Sequence, residues 1–122
     1  MALRRLEQKL TKENLWIYIL HLLRGGPLYA YEIRDKIKAA FGFEPATITV
    51  YVVLYKMERE GLVTSATEKR VPSNTVRRYY SLTEVGVGAL EEGRRMLRRT
   101  LDLLEVSERP APSRGTKDDG QR

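Results

Sequence analysis

Nine residues constrain this chain more than any others: LWIYILHLL, Leu15 to Leu23, which is apolar on nearly every side. A helix of that kind has no polar face to give to water, so it has to be buried on several sides at once. It is too short to cross a bilayer, which takes about 20 apolar residues. The run brakes on GGP, Gly25 to Pro27, where glycine takes the C-cap and proline cannot continue the helix. The remainder of a 122-residue chain must supply the shell, as a single small domain with at most a tail.

The flanking segments read as that shell. Leu3, Leu6 and Leu10 stand at helical spacing and predict a short amphipathic helix or arm over residues 1–10, while Thr11, followed by KEN, caps the next start. Between Tyr29 and Phe41, Ala30, Ile33, Ile37 and Phe41 share one face, with Glu32, Arg34, Asp35, Lys36 and Lys38 largely elsewhere; this helix ends near Gly42. After the connector FEPA, Thr47 is a reasonable N-cap for a helix running to Glu60, with Gly61 as its left-handed stop. Leu62 to Lys69 and Thr75 to Leu82 are rich in Val, Thr and Tyr, flank the turn-forming RVPSN, and read as a β-hairpin.

Thr83 then caps a last helix over residues 83–106, with Glu84 in the first turn, where a negative charge suits the helix dipole. Leu90, Leu97, Leu101 and Leu104 form a seam along it. A lone helix of this kind has no core of its own, so the seam predicts dimerisation; docking back onto the first helix is the alternative. Residues 107–122, SERPAPSRGTKDDGQR, carry no apolar pattern and read as a disordered tail. The expected fold is mainly α with a β-hairpin (α+β): a winged helix-turn-helix over residues 11–82, followed by a C-terminal dimerisation helix.

Composition narrows the function. A net charge of +6 favours a polyanionic partner. The absence of cysteine removes disulfides, thiolate metal sites and thiol nucleophiles together. The lone histidine, His21, lies inside the apolar run with no convergent partners, which favours a structural or interface role over a ligand role. No nucleophile stands beside a histidine base and no Gly-rich phosphate loop occurs, while the adjacent Glu91 and Glu92 point in different directions. An enzyme is therefore not expected, nor a metal or cofactor. The N-terminus MALRRLEQKL has no apolar signal-peptide core before its charges, so the expectation is a cytoplasmic protein without a membrane partner.

The helix over residues 47–60, TITVYVVLYKMERE, opens with Thr, Ile, Val and Tyr, poor or middling helix formers. At 100° per residue, Val50, Val53, Leu54 and Met57 fall on one face and suffice to dock it. Ile48, Val52, Tyr55 and Arg59, with Tyr51 beside them, are then surplus to packing. Such a surface fits a DNA groove: Thr47 and Thr49 hydroxyls reach phosphate or base edges, Ile48 and Val52 touch a thymine methyl, and Tyr51 and Tyr55 bond phosphate oxygens. The rival is packing against a neighbouring helix or subunit. The hairpin tilts the balance, because Lys69, Arg70, Arg77 and Arg78 gather around its turn and no acid lies between Lys69 and Leu82. A basic wing placed directly after a reading helix suits flanking phosphates or the minor groove.

Three stretches, LLRGGPLYAYEI at Leu22 to Ile33, TVYVVLYKMEREGLV at Thr49 to Val63, and RRYYSLTEVG at Arg77 to Gly86, carry a resemblance. In this order and spacing the chain resembles the phenolic acid decarboxylase regulator (PadR) family of winged-helix transcription factors, over roughly residues 12 to 105. It departs from the family pattern at Ala30, where glycine is usual, at Val52, where proline is frequent, and at Met57, which takes a leucine position. The resemblance implies a homodimer held mainly by the C-terminal helix, often assisted by the first helix, and acting usually as a repressor on double-stranded DNA. It also implies sensing of a small aromatic or lipophilic effector near the dimer interface, where Trp16 and Tyr18 would line the site, although an aromatic in that helix is more often core or interface. The competing function is a winged-helix domain used for protein interaction.

Overall fold

The computed structural model describes residues 1–70 and 75–106. The centre of the expected turn, residues 71–74, and the expected tail, residues 107–122, lie outside the described residues. Among the described residues, five α-helices and three strands follow in the order α1 Ala2–Leu10, α2 Leu15–Leu23, β1 Leu28–Tyr29, α3 Ala30–Phe41, α4 Thr47–Arg59, β2 Val63–Arg70, β3 Thr75–Leu82 and α5 Glu84–Glu105. The chain divides into two compact units, one ending at Glu91 and the other starting at Glu92, so α5 begins in the first and continues in the second.

The apolar run takes the position its composition requires. Leu15, Ile19, Leu20 and Leu23 of α2 are fully enclosed, and Trp16, Ile17, Tyr18 and Leu22 are half-buried against the same core. Three faces close over α2. Ala30, Ile33 and Ile37 come from α3, and Val50, Leu54 and Met57 from α4; Val63, Tyr80 and Leu90 come from β2, β3 and the start of α5. Each fully buried Leu, Ile or Met contributes about 1.5–3 kcal/mol relative to exposure, which the mixed helices α3 and α4 obtain only by docking.

Local signals set the boundaries. The Tyr29 N–H donates to Glu32 Oε1 at 3.1 Å, an acidic residue closing the first turn of α3, which ends at Gly42. Gly61, at φ 79°, takes the left-handed turn that reverses the chain out of α4, and the Leu62 N–H returns to the Met57 carbonyl. Thr83 caps α5: its Oγ1 accepts from the Gly86 N–H at 2.9 Å, and its hydroxyl lies 2.6 Å from the Gly61 carbonyl and 2.9 Å from that of Leu62. One side chain thus ties the end of α4, the start of β2 and the start of α5 together.

One expected helix start needs correcting. Thr11 does not start α2; its hydroxyl donates back to the Glu7 carbonyl, and a 3-10 turn over Lys12–Asn14 intervenes. The two expected strands pair with each other, and a third joins them: β1 pairs antiparallel with β3, with Leu28 opposite Tyr80 and Tyr29 opposite Tyr79, giving the order β1-β3-β2. No helix among the described residues is long and apolar enough to cross a membrane.

The joint at Gly86 leaves no room for a side chain. A Cβ built there falls 2.2 Å from the Leu62 carbonyl oxygen and 2.9 Å from Leu82 Cδ1. Gly86→Ala is therefore expected to destabilise the fold by roughly 3 kcal/mol, the upper end of overpacking, because the obstacle is backbone. Gly88, in the same helix with nothing within 4 Å, should accept alanine without loss. Urea unfolding of the two variants checks the contrast.

Candidate nucleic-acid interface

The rotation of α4 decides which of its residues face outward. Val50, Leu54 and Met57 are sealed in the core, and Val53 is half-buried against it. Ile48 is 73% exposed, Tyr51 44%, Val52 48% and Tyr55 61%, and Thr49 is also exposed. Those five residues contribute little to docking. The β-branched opening of α4 is held helical by the inward row, since tertiary burial outweighs propensity differences of a few tenths of a kcal/mol per residue.

The head of the helix differs from expectation. Ala46, extended at φ −68° and ψ 140°, is the N-cap, and Thr47 occupies the first helical position. No side chain caps the helix. Thr47 instead accepts a hydrogen bond from Arg34 Nη1 of α3 at 2.8 Å. Pro45 just ahead is buried, and the N-cap falls one residue earlier than the threonine suggested.

The wing is built on a regular antiparallel ladder from Val63 opposite Leu82 to Arg70 opposite Thr75. Alternation along that ladder divides the basic residues between its faces. Arg78 shares the face of the buried Tyr80, and Lys69, opposite Val76, lies on that face too. Arg78 Nη1 donates to Ser65 Oγ at 2.9 Å, and the Ser65 hydroxyl donates to Glu58 Oε2 at 2.7 Å, linking the wing to the last turn of α4. Burial pushes the Tyr80 phenol above its usual pKa; Arg78 opposes the rise, while Glu58 and Tyr51 add to it.

Arg77 lies on the other face. Its guanidinium stacks 4.4 Å from the Tyr29 ring centroid, Tyr29 meets Tyr79 edge to face at 5.5 Å, and Glu68 stands opposite Arg77 in the ladder. The expected cluster of four charges is therefore two sets, and an acid missing from the local sequence arrives across the strand. Arg70 closes the ladder, and its side chain lies outside what the structure describes.

The remaining sequence candidates separate as well. Leu90 does not belong to an exposed seam, because it is 3% exposed and part of the core. Leu97, Leu101 and Leu104, further along α5, are 49%, 51% and 78% exposed. Trp16 and Tyr18, two residues apart on a helix, point about 200° from each other. Trp16 Nε1 donates to Asn14 Oδ1 at 3.0 Å, whereas Tyr18 packs edge to face on Phe41 and Phe43 and donates its hydroxyl to the Leu10 carbonyl. Burial raises the pKa of the Tyr18 phenol. An open cleft of about 530 Å³ lies elsewhere, lined in part by Lys12, Glu13, Leu15, Glu44, Pro45 and Thr49.

Sequence reasoning missed Tyr31 and Arg34 of α3, which meet the head of α4. The Arg34 Cζ lies 5.3 Å from the Tyr31 ring centroid, and the Tyr31 and Tyr51 rings meet edge to face at 6.4 Å. On an amphipathic helix both read as ordinary solvent-facing positions, and no local signal marks their contact with residues 13 to 20 places onward.

The comparisons agree with this architecture. The model of the transcriptional regulator PadR-like family matches residues 19–92. A PadR family transcription regulator from hypervirulent Clostridium difficile is 28% identical, with a TM-score of 0.67 over 74% of this chain and 93% of its own. A PadR family regulator from Eggerthella lenta, 24% identical, superposes with a TM-score of 0.73 over 87% of this chain and 95% of its own. Bacillus subtilis PadR, whose structure is a complex with operator DNA, is 23% identical, with a TM-score of 0.61 over 76% of this chain and 60% of its own. No curated protein matches in sequence. With well over half of its residues spanned by the family model, and the winged helix built as described, the chain belongs to the PadR-like family of transcriptional regulators.

Proposed function

We propose that this chain is a sequence-specific, double-stranded DNA-binding regulator, acting as a homodimeric repressor in the cytoplasm. The reading rests above all on α4, where Ile48, Thr49, Tyr51, Val52 and Tyr55 stay exposed although the inward row already docks the helix. Hydroxyls, phenols and small aliphatic tips of this kind suit base edges and thymine methyls in a major groove. Arg78 and Lys69 on the α4-facing side of the wing supply phosphate contacts beside them. The Bacillus subtilis relative bound to operator DNA supports the same use of the fold.

The second unit bears on symmetry. Leu97, Leu101 and Leu104 repeat at three and four residues along a helix with no buried residue after Leu90. A second copy is the economical cover for such a stripe. A two-fold dimer would read an inverted repeat with half-sites about one helical turn, ~34 to 36 Å, apart. A small aromatic or lipophilic effector would act as a switch by binding the DNA-competent and incompetent dimers differently.

The exposed Ile48 and Val52 would also suit a protein groove, and salt dependence separates the two readings. Arg78→Ala is expected to weaken binding to every duplex and to lower the slope of log K against log salt by about 0.9, one phosphate contact. Arg77→Ala should do distinctly less, because its guanidinium is stacked on the opposite face. Fluorescence anisotropy across a salt series reads both slopes, and duplex affinity independent of salt and of Arg78 would favour the protein-interaction module.

The dimer has its own test. Leu97→Asp combined with Leu101→Asp should convert the protein to monomers by sedimentation velocity, with helical circular dichroism retained over the first unit. Binding to a palindromic operator should fall by at least tenfold, because the two half-sites no longer share one ligand.

A further inference from the structure

We propose that Tyr31 and Arg34 of α3, joined to Thr47 and Tyr51 of α4, form a second site for a DNA phosphodiester, at the head of the reading helix and separate from the wing. This rests on the DNA-binding reading above. A cation, two phenols and a hydroxyl from two helices converge there. Arg34 Nη1 bonds Thr47, its Cζ lies over the Tyr31 ring, and the Tyr31 ring in turn meets that of Tyr51. Both tyrosines are exposed, whereas the arginine is half-buried.

The guanidinium is held but not used up. Three of its five N–H groups are engaged, one with Thr47 and two with Asp35 Oδ1 at 3.2 and 3.0 Å. Two donors remain, and the planar fork matches phosphate oxygens. Stacking on Tyr31 and bonding to Thr47 already fix the side chain, so little rotamer freedom is lost when an anion arrives. The acid bonded to the guanidinium is Asp35. Asp35 is largely exposed, and an exposed ion pair of this kind is weak enough to give way to a phosphate. A helix that crosses the backbone ahead of the reading helix is also what the helix-turn-helix geometry requires. The wing contact through Arg78 lies by the last turn of α4 and this one by its first turn, so two phosphate contacts would bracket the reading helix and set its register along the groove.

The test uses the full chain and a duplex of scrambled sequence, with affinity followed by anisotropy over a range of salt. Arg34→Gln is expected to weaken binding and to lower the salt slope by about 0.9, while Arg34→Lys, which keeps the charge, retains the wild-type slope. Arg24→Gln, removing an exposed charge hydrogen-bonded to His21, controls for net charge and should leave the slope near wild type. Tyr31→Phe should weaken binding without changing the slope, since a phenol releases no counterion. Equal losses in Arg34→Gln and Arg34→Lys at an unchanged slope would overturn the proposal, leaving Arg34 only a brace for Thr47. So would wild-type behaviour of Arg34→Gln. A slope that falls in Arg78→Ala but not in Arg34→Gln refutes this site alone, whereas a wild-type protein that binds no duplex at any salt removes the DNA-binding reading itself.

Discussion

The burial of Val50, Leu54 and Met57 fixes the rotation of α4, and most of what this molecule presents to its surroundings follows from that rotation. A helix docked by one row at three- and four-residue spacing cannot turn by one residue without pulling that row out of the core. The outward row is thereby determined too. Ile48, Tyr51, Val52 and Tyr55 face away from the domain because their neighbours cannot, which explains a helix whose first turns are filled with residues that helices do not favour.

Around this helix the chain uses polar ties rather than additional apolar contact. At its head, Arg34 reaches from α3 to Thr47. At its end, Glu58, Ser65 and Arg78 run in a line from helix to wing, and the Thr83 hydroxyl meets the carbonyls of Gly61 and Leu62. These bonds are partly solvated, so each adds only about 0.5–1.5 kcal/mol. Their greater effect is directional: they fix the angle between α4 and the wing.

Much of the architecture was legible because it is written in local chemistry. The span Thr75–Leu82, the left-handed stop at Gly61 and the Thr83 cap each rest on residues adjacent in sequence, and the structure has them as expected. What was not legible depends on distant partners. A two-residue strand at Leu28–Tyr29 has no alternation to detect and exists only through its pairing with Tyr79 and Tyr80. Leu90 lies on the same stripe as Leu97 and Leu101, and a stripe looks alike whether it covers its own domain or a second copy; its place in the core comes from tertiary packing. The division of Arg77 from Arg78 was available from strand periodicity, but the Tyr29 stack that holds Arg77 and the Glu68 that faces it come from other segments.

Whether the outward row of α4 and the α4-facing side of the wing meet DNA is decided by backbone amide NMR as a palindromic duplex is added. The largest shift changes are expected at residues 47–55 and at Ser65, Lys69 and Arg78, with Ile19, Leu20 and the rest of the α2 core unmoved. Changes gathered on another surface while α4 stays silent would contradict that contact.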